Sequence, residues 1–211
     1  MLELEFVQLG LFVVATLVLN LTPGPDMLFT AANGMQGGAK AGVTSAVGVG
    51  LGGFVHAALA ALGVSALIAT SDIAFDVLRF SGAAYLIWIG FKTFTSGQDM
   101  LDSPSALPLS FKSLLVRGFI TNIFNPKVIL FFVAFIPQFV NPASANLALE
   151  IFILGCFVGL TGTVINGLVG VFAGGAGKAL LQNPISAKWI SRVSGSLFVA
   201  LGLRLVFIER N

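Results

Sequence analysis

The chain has 211 residues, 56% of them apolar and only 9% charged, with a mean hydropathy of +0.98. Soluble domains carry about 25% charged residues, so the composition excludes an ordinary water-soluble domain and implies an integral membrane protein. A net charge of +2 is too small to recruit nucleic acid, and the single cysteine, Cys156, admits neither an intrachain disulfide nor a cysteine metal cluster.

Six apolar segments, each about long enough to cross a hydrocarbon core of about 30 Å, fall at 6–33, 41–69, 73–94, 113–139, 147–173 and 189–208. The first follows Glu3 and Glu5, where a secretory leader would carry basic residues, and it runs into Asn20-Leu-Thr-Pro-Gly-Pro-Asp26, a poor cleavage site. It is therefore read as a retained helix. Taken alone, 6–21 spans about 24 Å, short of a membrane, so the break at Pro23 and Pro25 falls inside the bilayer. Backbone that is not helical survives at that depth only when buried in protein or lining a polar cavity.

The second segment carries Gly38, Gly42, Ala46 and Gly50 at four-residue spacing, and His56, the sole histidine. The third contains Arg79-Phe-Ser-Gly82, Gly90 and Lys92. The longest connection, 95–112, holds Gly97, Asp99, Asp102, Pro104 and Pro108; its middle, about 98–110, links repeat one (1–97) to repeat two (111–211) within a single domain, 1–211. The fourth segment is broken at Pro126 within Asn122-Ile-Phe-Asn-Pro-Lys127. The fifth has Gly155 and Gly159, then Gly170 and Gly174, a spacing that lets helix backbones approach closely. In the sixth, Arg192-Val-Ser-Gly195, Gly202 and Arg204 echo the third.

These correspondences predict an all-α membrane protein of six transmembrane helices, built as two inverted three-helix repeats with the first and fourth helices broken. Three crossings per repeat force the second to insert upside down, and transporters of this kind hold substrate at the midplane between discontinuous helices. Lys40, Lys92, Lys112, Arg117, Lys178, Lys188 and Arg192 collect on one side, against Arg79, Arg204 and Arg210 on the other. The excess marks the cytoplasmic side and places both termini outside it.

Two charges stand in the breaks. Asp26 and Lys127 each follow a proline, in the first turn of a new helix, where the helix dipole favours an aspartate and opposes a lysine. Each costs roughly 2.5–3.5 kcal/mol at the bilayer centre on insertion scales, so Lys127 in particular needs a partner. Either the two form a permanent salt bridge fixing the repeats, or the pair opens for an amino acid, whose ammonium suits Asp26 and whose carboxylate suits Lys127 or free backbone N–H groups. Asp26 and His56 are the candidate proton carriers. The candidate substrate or coupling set is Asn20, Thr22, Pro23, Gly24, Pro25, Asp26, Asn122, Asn125, Pro126 and Lys127. For the amides and hydroxyls, including Thr121 and Asn166, capping of freed backbone groups competes with a substrate role. Asp26 is the one acidic residue expected deep in a segment, which favours a neutral amino acid over a basic one.

No catalytic constellation, metal-ligand cluster or Walker loop is present in the sequence, so no enzymatic activity, cofactor or ATP drive within the chain is expected. A passive pore, a cation exporter or a membrane assembly protein without transport are the competing classes. Glycine rows pack within a chain as readily as between chains, leaving a homo-oligomer open.

Asn20-Leu-Thr-Pro-Gly-Pro-Asp26, Gly82-Ala-Ala-Tyr-Leu86 with Gly90, Gly118-Phe-x-Thr-Asn122, Asn125-Pro-Lys127 and Phe135-x-Pro-Gln138-Phe139 together resemble the LysE/RhtB family of bacterial amino-acid exporters, over nearly the whole chain. The two broken elements show no departure from that pattern. The resemblance implies a bacterial inner-membrane exporter of amino acids or related small metabolites, with protons as coupling partner. It does not specify the substrate.

Overall fold

In the computed structural model, the described residues are 6–66, 72–95 and 110–175, with 188, 189, 192, 193, 195, 196, 199, 200, 202 and 203. Glu3, Glu5, the linker and much of the sixth predicted segment lie outside them. The described elements are helical: α1 (Phe6–Leu21), α2 (Pro25–Leu59, continued by a π turn, Ala60–Val64), α3 (Asp72–Thr95), α4 (Phe111–Ile123), α5 (Pro126–Leu130) and α6 (Leu147–Ala173). A π turn, Phe131–Phe135, and a 3-10 turn, Ile136–Phe139, extend α5. Among the described residues, Pro25–Val64 and Leu147–Ala173 are long and apolar enough to cross a membrane; the α4 and α5 stretches, bent by 50°, add a third if read as one span. Residues such as Leu62, Ile73, Phe91 and Leu168 are exposed, an apolar surface suited to lipid.

A straight rod of 40 residues would measure about 60 Å, twice the hydrocarbon core, but α2 is not straight. Gly38 leaves the helical region with φ 77°, a conformation that glycine adopts without steric cost. Gly34 before it and Gly42 after it both abut Gly170 of α6, so the chain reverses there and α2 is a hairpin of two limbs, 25–37 and 39–59. The sequence suggested a loop between 33 and 41; the reversal needs a single glycine.

Contacts give each limb a direction. Along α6, Phe12 meets Phe157, Asn20 bonds Thr161, Thr30 approaches Asn166 and Gly34 meets Gly170, so α1 and the first limb run parallel to it. The second limb runs the opposite way, with Gly42 against Gly170, Gly50 against Thr163, Gly53 against Gly159 and Ala57 against Gly155. This seam uses the glycine rows noted in the sequence; without side chains between them the backbones touch, which replaces the hydrophobic drive that lipid does not supply. α4 follows the second limb in parallel, Gly48 against Leu115 and Gly52 against Asn122.

The aromatic core lies between α1 and the turns that extend α5. Phe131, Phe135 and Phe139 stack in succession at 4.6 and 4.9 Å, and Phe12 meets Phe139 edge-on at 5.3 Å. At the end of the molecule holding the Gly38 reversal, Gly174 abuts Gly38, and Lys40 lies over the Phe111 ring at 4.8 Å, beside exposed Lys112. Two of the basic residues expected on one side, Lys40 and Lys112, therefore share one end.

Candidate functional site

Both proline elements interrupt helices. α1 ends at Leu21 and helix resumes at Pro25; α4 ends at Ile123 and helix resumes at Pro126. Each resuming helix has Pro in its first turn, where the missing N–H costs no hydrogen bond. The second break is closed locally: Asn125 Oδ1 accepts from the Lys127 backbone N–H at 3.1 Å, an N-cap. The first has Gly24 at the N-cap position and no capping side chain, so the first backbone N–H groups of α2 are open.

Asp26 is 6% exposed, Lys127 7%, Asn122 4% and Asn125 1%. Of the two readings left open for Asp26 and Lys127, a direct salt bridge is not the arrangement seen. Asp26 Oδ2 instead accepts from Asn122 Nδ2 at 2.8 Å, and the Lys127 ammonium donates to the carbonyls of Leu19 and Thr22 at 3.0 and 2.9 Å. The physical reason is the opposition anticipated for a lysine at a helix N-terminus. Its long side chain reaches the partly negative C-terminal end of α1, where carbonyls lack helical partners.

Hydrogen bonds to charged groups contribute about 1.5–3 kcal/mol each, so two of them are comparable to the insertion cost of a lysine. Asp26 is less well provided for, because its Oδ1 is buried without a hydrogen-bond partner. Asn122 Oδ1 and Asn125 Nδ2 are also unpartnered, so three of these buried polar atoms belong to the two breaks. The charges and dipoles acting on the Asp26 carboxylate come from Lys127, Asn122, Asn125 and His56. His56 is buried, its Nε2 lies 3.2 Å from the Asn122 carbonyl, and its ring packs on Phe132 at 5.5 Å. A carbonyl only accepts, so Nε2 carries the hydrogen.

Other candidates are spent on structure. Thr22 Oγ1 donates to Val18 O at 2.5 Å, Thr121 Oγ1 to Arg117 O at 2.8 Å, and Asn166 Nδ2 to Gly162 O at 2.9 Å. Asn20 ties α1 to α6 through Val158 O and Thr161 Oγ1. Pro23 and Gly24 form the first gap, and a Cβ on Gly24 would lie 3.2 Å from Lys127 Nζ. Pro25 and Pro126 are exposed starting residues of their helices.

Glu150 was not anticipated as a deep carboxylate, yet it is buried in the first turn of α6, where Oε1 accepts from Ser144 Oγ at 2.8 Å. Its position three residues into a segment was the available signal, since helix N-termini favour acidic side chains. It is absent from the groups acting on Asp26.

The LysE type translocator family model matches residues 17–208. A leucine efflux protein of Enterobacter sp. (strain 638) is 33% identical over 202 residues, covering 94% of each chain. A leucine efflux protein of Klebsiella pneumoniae is 32% identical over 205 residues, with the same coverage. A homoserine/homoserine lactone efflux protein of Salmonella typhimurium is 29% identical over 197 residues, 92% of this chain and 93% of that one. No solved structure matches the chain. The match across nearly the full length makes this chain a member of the LysE type translocator family.

Proposed function

We propose that the protein is a secondary transporter that exports a neutral amino acid, or a closely related small metabolite, across the bacterial inner membrane in exchange for protons. The observation that carries this reading is the set of unpartnered buried atoms at the breaks, two acceptors (Asp26 Oδ1, Asn122 Oδ1) and one donor (Asn125 Nδ2). An α-ammonium supplies donors to the two acceptors, and an α-carboxylate accepts from Asn125 and from the open N–H groups that begin α2. Asp26 is the only carboxylate of this cluster, so a basic side chain finds no second anion. The names of the relatives, leucine and homoserine efflux, point the same way.

Exchange follows from shared use of one oxygen. A proton on Asp26 Oδ1 and a substrate ammonium bound there exclude each other, so arrival of one favours departure of the other; His56, beside Asn122, is the second candidate carrier. Two inverted repeats account for the contact pattern. Asn20 sits over Gly162 and Asn122 over Gly52, each asparagine from one repeat on a glycine of the other. Gly90 packs on Gly195 while Gly202 packs on Ala83, again a reciprocal pair. The first and fourth broken spans run in opposite directions, as an inverted repeat requires.

Counterflow of labelled amino acids in proteoliposomes, with and without a pH gradient, is expected to show saturable exchange of neutral amino acids that the gradient accelerates. Asn125→Ser keeps a capping oxygen but lacks the amide donor, and should raise KM about tenfold. Flux that does not saturate would favour a pore, and an unchanged KM would remove Asn125 from the site. Both termini are assigned outside the cytoplasm, and a reporter fused after Asn211 should be active there; activity in the cytoplasm would refute six crossings.

A further inference from the structure

At the carbonyl end of each broken helix a side chain arrives from the other half of the chain; the Leu19 and Thr22 carbonyls are reached by that side chain, whereas the Asn122 carbonyl also accepts from the Asn125 N–H at 3.0 Å. Lys127, which begins α5, spans 105 and 108 positions of sequence to donate to Thr22 and Leu19 at the end of α1. His56, in the second limb of α2, spans 66 positions to place Nε2 against the Asn122 carbonyl in the last turn of α4. Both side chains are buried. The last carbonyls of any helix lack helical partners, and at a break inside a membrane water cannot be relied on to supply them.

We propose that Lys127 and His56 are reciprocal positioning residues, each closing the carbonyl end of the other half's broken helix and so setting where the site's polar atoms lie. Neither is assigned to bind substrate. Lys127 has two of its three donors on backbone oxygens, and it fixes the end of α1 from which Asp26 is only five residues removed from Leu21. His56 acts through Asn122, whose side chain holds Asp26 Oδ2 while its carbonyl meets the imidazole. The arrangement ties the halves together across both breaks without an ion pair. A substrate-binding lysine would instead need its ammonium aimed at the unpartnered cluster.

The inference goes beyond the transport reading and is tested separately from it. Hydrogen exchange of the purified full-length protein in detergent reads the helix ends with no substrate present. Lys127→Met should speed amide exchange over residues 16–24 by about tenfold, and His56→Leu should do the same over 120–125, since each loses a hydrogen bond to a terminal carbonyl. Lys127→Arg and His56→Gln keep a donor and should restore protection. Gly24→Ala, whose new methyl crowds Lys127 Nζ, should reproduce part of the Lys127→Met effect and serves if that variant does not fold.

In proteoliposomes, Lys127→Met should lower the maximal rate while leaving the preference for an amino acid over its carboxamide unchanged. Loss of that preference with normal exchange at 16–24 would make Lys127 a carboxylate ligand and overturn the proposal. Unaltered exchange in both variants would overturn it as well, whatever the protein transports.

Discussion

Asp26→Asn is expected to reduce amino-acid counterflow by about a hundredfold while leaving the protein folded. The carboxylate oxygen that lacks a partner is the one offered to an ammonium, and losing a charged hydrogen bond worth about 3 kcal/mol corresponds to roughly that factor. Folding should survive because the amide keeps an oxygen for Asn122 Nδ2. The pH gradient should also cease to accelerate what flux remains, since an amide cannot exchange a proton for an ammonium. Measured in proteoliposomes at matched protein content, activity within a few-fold of the unaltered protein would take Asp26 out of the mechanism. Asp26→Glu should fall between the two, keeping the charge but moving it by one methylene.

Gly170→Val should have the largest effect on stability. A Cβ at Gly170 would lie 2.7 Å from Gly42 Cα, a backbone atom that no rotamer change can move, and the same glycine receives Gly34 from the other limb. Overpacking ordinarily costs 1–3 kcal/mol; with two backbones to displace, about 3 kcal/mol or more is expected, read as a lowered unfolding temperature in detergent and poor recovery. Gly10→Ala and Gly63→Ala are the controls, because nothing lies within 4 Å of a Cβ at either position. In Gly10, within α1, alanine should leave stability unchanged or raise it by up to about 1 kcal/mol. Equal loss at Gly10 and Gly170 would show that the close approach at Gly170 is not what the fold depends on.

Much of this architecture was legible in the residues, and the limits of legibility have a common cause. The segment 147–173 coincides with α6, and the helix breaks fall at the proline elements, because apolar length and missing backbone donors are properties of the chain itself. The glycine rows announced close approach and the structure places them face to face. What the residues did not disclose is rotation about the helix axis. Proline positions fix the depth of Asp26 and Lys127 but not their facing, so the residues left a salt bridge and a separable pair both open, and Asn122 and two backbone carbonyls are the partners.

The one-residue reversal at Gly38 was obscured by polar residues on both sides that read as a longer loop. The π turns at Ala60–Val64 and Phe131–Phe135 leave no mark in hydropathy, since the same apolar residues suit either winding. Glu150 was not expected deep in a segment, yet it is buried with a serine partner.

The α2 hairpin holds α6 unequally. Thr30 and Asn20 reach Asn166 and Thr161 from the chain leading into the reversal, so that side is fastened by side-chain polar contacts. The side leading out rests on α6 through glycine and small residues, and among the described residues no side-chain hydrogen bond joins them. With few side chains between them, the two backbones of that seam meet directly, and specificity there comes from the absence of side chains and not from polar pairing. The hairpin is thus fastened to α6 by polar side chains along one limb and by direct backbone contact along the other, and Gly38 marks where the two kinds of contact meet.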